Sequence, residues 1–355
     1  SLGGAEKYLK NIVEYFLSIE NMFIYIVFLR TKCSENWDDL KKYDNIKIKY
    51  IKSNSEKLGI VFLFKYLLSI RLINFSYIFT SHIYLNAYCG FARKIGLLNA
   101  QFLISRESTV IFKRFKGLKL LIYKSCYYLG YSSIDLLICQ TELMKKELIK
   151  HFSWIENKIL VKVLNNPINI STIPNKSIDD DVLKQNYIVS AGRLIKEKGF
   201  DILIDAFNLI QKEHLDLKLI ILGEGELRKY LEEKIELLNL QNKVILKGFV
   251  NNVYPYFKNA KVCIVSSRIE GFPNVLLQMM SQNTNVVSTK CAGGIDEIEG
   301  INIVNNNNFH ELGNTVLSVL SKNNSSNRSV FDKELKKRTV ESFMQKINYY
   351  LNYEK

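Results

Sequence analysis

The chain has 355 residues, 47% of them hydrophobic and 24% charged, with a formal net charge of +14. At roughly 100–200 residues per domain this length suits two domains, and the apolar share excludes a disordered chain. The longest apolar stretch, Leu58 to Phe75, is broken by Lys65 and Arg71, which argues against a membrane-spanning helix.

The charge is uneven. Residues 1–165 carry 25 Lys and Arg against 13 Asp and Glu, whereas residues 166–355 carry 24 against 22. A basic half attracts phosphate-bearing partners: nucleic acid, anionic lipid or a phosphorylated substrate. The six cysteines show no Cys-x-x-Cys spacing and there are four histidines. That argues against a zinc site or a disulfide framework and fits a reducing cytosol.

In chain order, a helical pattern over Gly4–Glu20 opens on the loop Gly3-Gly4. A glycine turn that opens a helix ordinarily follows a strand, and none precedes this one. About ten residues, one strand, are therefore expected to be missing ahead of Ser1, and the first domain's sheet should lack a member near its centre. Apolar or alternating runs at Met22–Leu29, Ile46–Ile51, Tyr77–Thr80, Ala100–Ser105, Asp135–Cys139 and Lys158–Leu164 read as strands. Helical patterns at Leu58–Asn74, Tyr84–Gly96, Phe115–Tyr131 and Glu142–His151 separate them. This alternation predicts a parallel sheet covered on both faces. The Leu58–Asn74 helix reads as core. The segment Phe112–Lys124 mixes cations with Phe, Leu and Tyr, as a core helix with a basic face or an amphipathic helix on an anionic membrane would.

Asn165-Asn166-Pro167 and the polar stretch behind it mark a domain boundary. The alternation then restarts, with strands at Tyr187–Ala191, Leu217–Leu222, Lys243–Leu246, Val262–Val265, Val286–Ser288 and Asn302–Val304. Helices are expected at Asp201–Glu213, Glu226–Leu238, Val253–Asn259 and Asn274–Gln282, with a last one at Val340–Tyr353. Asn305–Asn308 and Ser321–Ser329 read as solvated loops. The expected organisation is two doubly wound, Rossmann-like α/β domains facing across a cleft, residues 1–165 and 166–330. Residues 331–355 form a C-terminal helix returning towards the first domain.

Three loops in the second half carry chemistry. Ala191 to Gly199 places Arg193 and Lys198 after a strand, where both can meet a diphosphate. Gly223 and Gly225 follow the next strand and allow close approach of backbone to a ligand. In Ser266 to Gln278, Glu270 precedes a helix starting near Asn274 and Gln278 lies one turn inside it, so both can face one ligand. Asp179-Asp180-Asp181 lies ahead of a strand and reads as a solvated acidic cluster.

These motifs resemble family 4 of the retaining glycosyltransferases, of the GT-B fold. The resemblance rests on Gly-Gly-Ala-Glu at 3–6, Gly-Arg-x-x-x-x-Lys-Gly at 192–199 and Glu-Gly-Phe-Pro-Asn-Val-Leu-Leu-Gln at 270–278, in that order. It implies that Arg193 and Lys198 hold the donor diphosphate and that Glu270 contacts the donor sugar. Backbone amides of Phe272, Pro273, Asn274, Val275 and Leu276 (proline having none) would hold sugar and phosphate. Gly3, Gly4 and Gly223 would lie near the donor, and Phe249 would border the base. The family's second glutamate is Gln278 here, an amide that hydrogen-bonds a ribose diol without charge. His82 and Glu107 are the expected acceptor or sugar contacts. No metal or other cofactor is implied, the nucleotide sugar being a co-substrate, and nucleic acid is not an expected partner. The implied reaction moves a hexose or N-acetylhexosamine, UDP-linked, to a lipid-linked surface polysaccharide precursor. It would take place on the cytoplasmic side of an anionic cell membrane. A nucleotide-sugar epimerase and a degenerate, non-enzymatic nucleotide- or membrane-binding protein are the alternatives.

Overall fold

The structure is a computed structural model and describes residues 4–29, 35–51, 53, 56–169 and 181–354. The chain forms two compact units, residues 1–167 with 340–355 and residues 168–339.

Unit 1 runs α1 (Gly4–Leu17), β1 (Ile24–Phe28), β2 (Ile46–Tyr50), α2 (Glu56–Ile70), β3 (Asn74–Ser81), α3 (Ile83–Lys94), β4 (Asn99–Arg106), α4 (Ile111–Arg114), α5 (Gly117–Gly130), β5 (Leu136–Cys139), α6 (Glu142–His151), α7 (Trp154–Lys158) and β6 (Leu160–Val163). Alternation along the strands sends side chains to two layers. Ile104, Leu136 and Ile138 face α1 and the last helix of the chain, packing with Tyr8, Ile12, Phe343 and Ile347. Leu103, Leu137 and Cys139 face α3 and α5, packing with Ala87 and Tyr127. α3 and α5 touch through backbone: a Cβ on Gly130 would lie 1.8 Å from the Ala87 carbonyl oxygen. α2 joins the same layer, with Leu63 and Leu67 against Ala92 and Tyr88. The Thr141 side chain caps α6 by accepting from the Met144 amide at 3.1 Å.

All strand pairing in unit 1 is parallel, but the sheet is split into β1-β2 and β3-β4-β5-β6. A slot of about 550 Å³ lies between the two parts, lined by Leu9, Ile12 and Phe16 of α1, Leu63 and Leu67 of α2, and the facing strands. α2 joins the core, as expected, through buried Leu63, Leu67 and Ile70, while Val61, Phe62, Phe64 and Leu68 on its other side are exposed.

Unit 2 contains β7 (Tyr187–Ala191), α8 (Phe200–Glu213), β8 (Lys218–Leu222), α9 (Arg228–Leu237), β9 (Val244–Gly248), α10 (Tyr254–Asn259), β10 (Val262–Val265), α11 (Asn274–Met280), β11 (Val286–Thr289), β12 (Asn302–Val304), α12 (Phe309–Leu320) and α13 (Asn327–Lys336). Its six strands are parallel, in the order β12-β11-β10-β7-β8-β9. The order reverses between β7 and β10, and in open α/β sheets ligands bind outside the carboxyl ends of strands at such a switch point. One face packs on α8, α9 and α12, the other on α10, α11 and α13. α14 (Val340–Tyr353) closes the chain and belongs to unit 1.

The asparagine-rich stretches are largely exposed loops, as expected, except that α13 begins at Asn327, and their asparagines also make structural bonds. Asn308 caps α12 by accepting from the Glu311 amide at 3.0 Å. Asn306 donates to the Arg268 carbonyl at 3.0 Å, and Asn327, the first residue of α13, donates to the carbonyls of Thr284 and Gly300. Of the acidic cluster, Asp179 and Asp180 lie outside the described residues, and exposed Asp181 pairs with Lys184 at 2.9 Å.

Candidate active site

At the switch point of unit 2, the segment 192–199 leaves β7 and the segment 266–273 leaves β10. Both are pinned by their own polar groups. Ser266 Oγ donates to the Lys198 carbonyl at 3.0 Å, and the Arg268 amide donates to the Glu197 carbonyl at 2.7 Å. The Arg268 guanidinium grips Asp201 through two bonds of 2.8 and 2.6 Å, the fork geometry that arginine offers a carboxylate. Burial raises the Asp201 pKa, but the Arg268 hydrogen bonds and charge outweigh it and hold the carboxyl below its usual value. Gly199 sits at φ +64°, and a Cβ there would lie 2.2 Å from the Ser266 carbonyl oxygen. Only glycine lets the two segments come this close.

Between these segments, the Lys198 ammonium pairs with Glu270 Oε1. Ser267 Oγ donates to the same oxygen at 3.0 Å, and the Glu270 amide donates to the Cys291 carbonyl at 2.8 Å. Thr289 Oγ1 donates to the Ser267 carbonyl at 2.6 Å. Lys198 and Glu270 are thus brought together from 72 residues apart. Both side chains retain 17–19% exposure, so a ligand's phosphate or hydroxyl can compete for them. Arg193 is exposed on the same loop and makes no ion pair with the described residues. Burial pushes the Cys291 thiol up to about 12, with the Glu270 charge adding to the rise, so this cysteine stays neutral.

The glycine loop after β8 stacks on the β7 loop. Gly223 has φ +140°, and a Cβ on it would lie 1.9 Å from the Gly192 carbonyl oxygen. The Gly192 amide donates to the Leu222 carbonyl at 2.9 Å, and the Gly223 amide to the Gly248 carbonyl at 2.8 Å. Phe249 follows and is 46% exposed. Gln278, in α11, donates to Tyr254 Oη at 3.2 Å. The side chains of Phe272, Pro273 and Leu276 are buried, so only their backbone is available to a ligand, while Asn274 and Val275 are half-buried. Sequence reading missed Ser267 as the second hold on Glu270 and Tyr254 as the partner of Gln278. Ser267 stood inside the motif, whereas nothing near Tyr254 signals its role. Among the described residues no group of three His, Cys, Asp or Glu side chains could hold a metal ion.

In unit 1, Gly4 begins α1 and Gly3 lies outside the described residues. His82 stands between β3 and α3 at φ +91°, a strained value for a residue with a side chain. Its Nδ1 lies 3.3 Å from Ser108 Oγ, and its ring is parallel to that of Tyr84. The expectation that Glu107 contacts a ligand is corrected. It is 1% exposed and both carboxyl oxygens are taken, by Tyr131 Oη at 2.7 Å and Tyr127 Oη at 3.0 Å. Neighbouring Arg106 is buried too, donating to Asn166 Oδ1 at 2.7 Å and to Ser81 Oγ at 3.2 Å. Burial raises the Glu107 pKa to about 7, against the pull of the two tyrosines and Arg106.

Residues 175–338, nearly all of unit 2, match the family "Glycosyl transferases group 1". A Campylobacter jejuni N-acetylgalactosamine-N,N'-diacetylbacillosaminyl-diphospho-undecaprenol 4-alpha-N-acetylgalactosaminyltransferase is 36% identical over 180 residues, 51% of this chain and 48% of that protein. The Staphylococcus aureus capsular polysaccharide biosynthesis glycosyltransferase CapM is 25% identical over 300 residues, 80% of this chain and 76% of CapM. The chain spans about half the length of the first curated relatives it matches. Among solved structures, Anabaena HepE in complex with UDP-glucose aligns with a TM-score of 0.79 at 18% identity, over 99% of this chain and 96% of HepE. That likeness gives the fold, the GT-B type with two Rossmann-like domains.

Proposed function

We propose, from the match of residues 175–338 to the group 1 glycosyl transferases, that the protein is a retaining glycosyltransferase. It moves a hexose or N-acetylhexosamine from a UDP-linked donor to a lipid-linked precursor of a bacterial surface polysaccharide, at the cytoplasmic face of the cell membrane. The observation that carries this reading is the Lys198–Glu270 pair, held by Ser267 at the switch point of the unit 2 sheet. A diphosphate takes over Lys198 and gains Arg193, which together stabilise the charge that develops as the nucleotide departs. Glu270, released from Lys198, accepts from the donor sugar's hydroxyls. The bond from the anomeric carbon to the phosphate oxygen breaks, and the bond to the acceptor oxygen forms on the same face. The acceptor's proton passes to the departing diphosphate, so no strong protein base is needed.

Two similarities support the substrate classes: HepE is described in complex with UDP and with UDP-glucose, and the Campylobacter relative is named for a diphospho-undecaprenol acceptor. On unit 1, His82 is the proposed acceptor contact, its strained backbone being the kind that clusters at functional sites. The test is a thermal-stability titration with UDP, GDP and a panel of UDP-sugars, beside an Arg193→Ala/Lys198→Ala variant. Stabilisation by UDP and one UDP-sugar that the variant lacks is the expected result. Stabilisation unchanged in the variant would overturn the assignment of these two residues, and no response to any nucleotide would overturn the donor class.

A further inference from the structure

We infer that Glu224 and Arg228 are positioning residues of the proposed donor site: as a pair they set which nucleobase it takes. This rests on the proposed function for the identity of the site and goes beyond it in naming what gives the site its selectivity.

The pair braces two loops. β8 and β9 run parallel up to a register shift between Ile221 and Leu222, past which Gly223 and Gly248 form an antiparallel bridge. Arg228, the first residue of α9, spans this junction. Its Nε and Nη2 donate to the Glu224 carboxylate at 2.9 and 2.8 Å. Its Nη1 donates to Glu232 Oε1 at 2.8 Å, and Nη2 also donates to the Leu246 carbonyl at 3.1 Å. Bonds in three directions use the planar fork of an arginine, which a lysine cannot reproduce. The Glu224 carboxylate in turn lies against Gly248, which has φ +83°: a Cβ there would be 2.9 Å from Glu224 Oε1. The hydrogen bonds from Arg228 hold the Glu224 carboxyl below its usual pKa, so the pair stays ionised at neutral pH.

At its other end the same segment holds the neighbour of Arg193. The Leu194 amide donates to the Glu224 carbonyl at 3.0 Å, and the Leu227 amide donates to the Leu194 carbonyl at 3.0 Å. A Cβ on Gly225 would lie 2.5 Å from that Leu194 oxygen. Residues 224–228 thus fix the separation between Arg193, on the phosphate side, and the turn Gly248-Phe249. Phe249 is 46% exposed at the carboxyl end of β9. An exposed ring on a rigid support is a platform for a base, but stacking alone tolerates every base. Discrimination needs polar groups beside the ring, here the backbone of 248–250, held at a set distance from the phosphate grip. Stability does not account for the brace. Glu224 and Arg228 side chains are 49% and 33% exposed, and ion pairs this open contribute little to folding.

The experiment is calorimetric titration of the full chain with UDP, GDP and inorganic pyrophosphate, repeated on Arg228→Met, Arg228→Lys and Glu224→Gln, with circular dichroism on every preparation. Arg193→Ala/Lys198→Ala is the control for the phosphate grip and should weaken all three ligands alike. The wild type should bind UDP about ten-fold more tightly than GDP. Arg228→Met and Glu224→Gln should each cut that preference to about three-fold or less, with pyrophosphate binding and spectrum unchanged. Arg228→Lys should fall between, because it keeps the charge and loses the fork. Four results overturn the inference: a wild type that does not distinguish UDP from GDP, a preference that folded variants keep, pyrophosphate weakened in them as much as UDP, or loss of the folded spectrum in both Arg228→Met and Glu224→Gln. A wild type that binds none of the three ligands overturns the donor reading itself, a result distinct from all four.

Discussion

Glu107 offers a perturbation whose sign and size follow from its surroundings. Its carboxyl is fully enclosed, and burial raises its pKa from the usual 4.5 to about 7, though Tyr131, Tyr127 and Arg106 all favour the ionised form. In the unfolded chain the group ionises near 4.5, whereas in the folded chain it keeps its proton to about 7. Between those values the folded state binds a proton that the unfolded state has released, so stability falls as pH rises through the window. The contribution is fully present below pH 4.5, is lost by about pH 7, and is flat above it. At about 1.4 kcal/mol per pH unit, the whole loss is roughly 3 kcal/mol. Glu107→Gln removes the titration and keeps the shape. Both tryptophans, Trp37 and Trp154, are in unit 1, so their fluorescence during urea unfolding reports this unit. From pH 5 to pH 8 the wild type should lose roughly 3 kcal/mol relative to Glu107→Gln. A difference independent of pH, or one that favours the wild type as pH rises, would refute the reasoning.

Two further predictions follow from named contacts. Gly130→Ala drives a methyl into the Ala87 carbonyl at 1.8 Å and should cost about 3 kcal/mol by the same fluorescence-detected unfolding, because backbone cannot step aside. Gly96→Ala, at φ +71° with open space around it, should cost only about 1 kcal/mol, so equal losses would sink the close-approach account. Gln278→Glu offers a charged acceptor where an amide now donates to Tyr254. It should tighten UDP binding by about 1 kcal/mol, roughly five-fold by calorimetry, and unchanged or weaker binding counts against placing this side chain at the ribose.

What was legible in the sequence was local. β7, β10, β12, α6 and α14 occupy the residues expected of them, because each is an apolar run or stripe bounded by polar or glycine residues. α12 and α13 were not read, since asparagines and serines around them look like loop; the informative signal was Asn308 three residues before Glu311, a capping pair. The fate of Glu107 was not legible either. It follows a strand end, as a ligand contact would, but its surroundings come from Tyr127 and Tyr131, twenty and more residues later. Nor could periodicity decide α2, because a helix apolar on both sides gives no sign of which side meets the core.

The candidate site shows why its motifs were readable while its wiring was not. Topology alone brings Lys198 to Glu270: β10 returns to lie beside β7, and the loops leaving their carboxyl ends must meet. The sequence consequence of that meeting is glycine wherever backbone crosses backbone, at 199 under Ser266 and at 223 over Gly192. Those glycines are visible in a single sequence, and so are the charges they flank. The bonds that hold the charges ready run instead through Ser267, Thr289 and the Arg268–Asp201 fork, side chains that are commonplace in any loop. Cutting the fork should therefore disturb the site without touching a ligand group. In Arg268→Ala, UDP-induced stabilisation should weaken as much as in Lys198→Ala, while the Trp37 and Trp154 unfolding signal of unit 1 stays where it was. A variant that binds UDP like the wild type would show that the loop holds its shape without the fork.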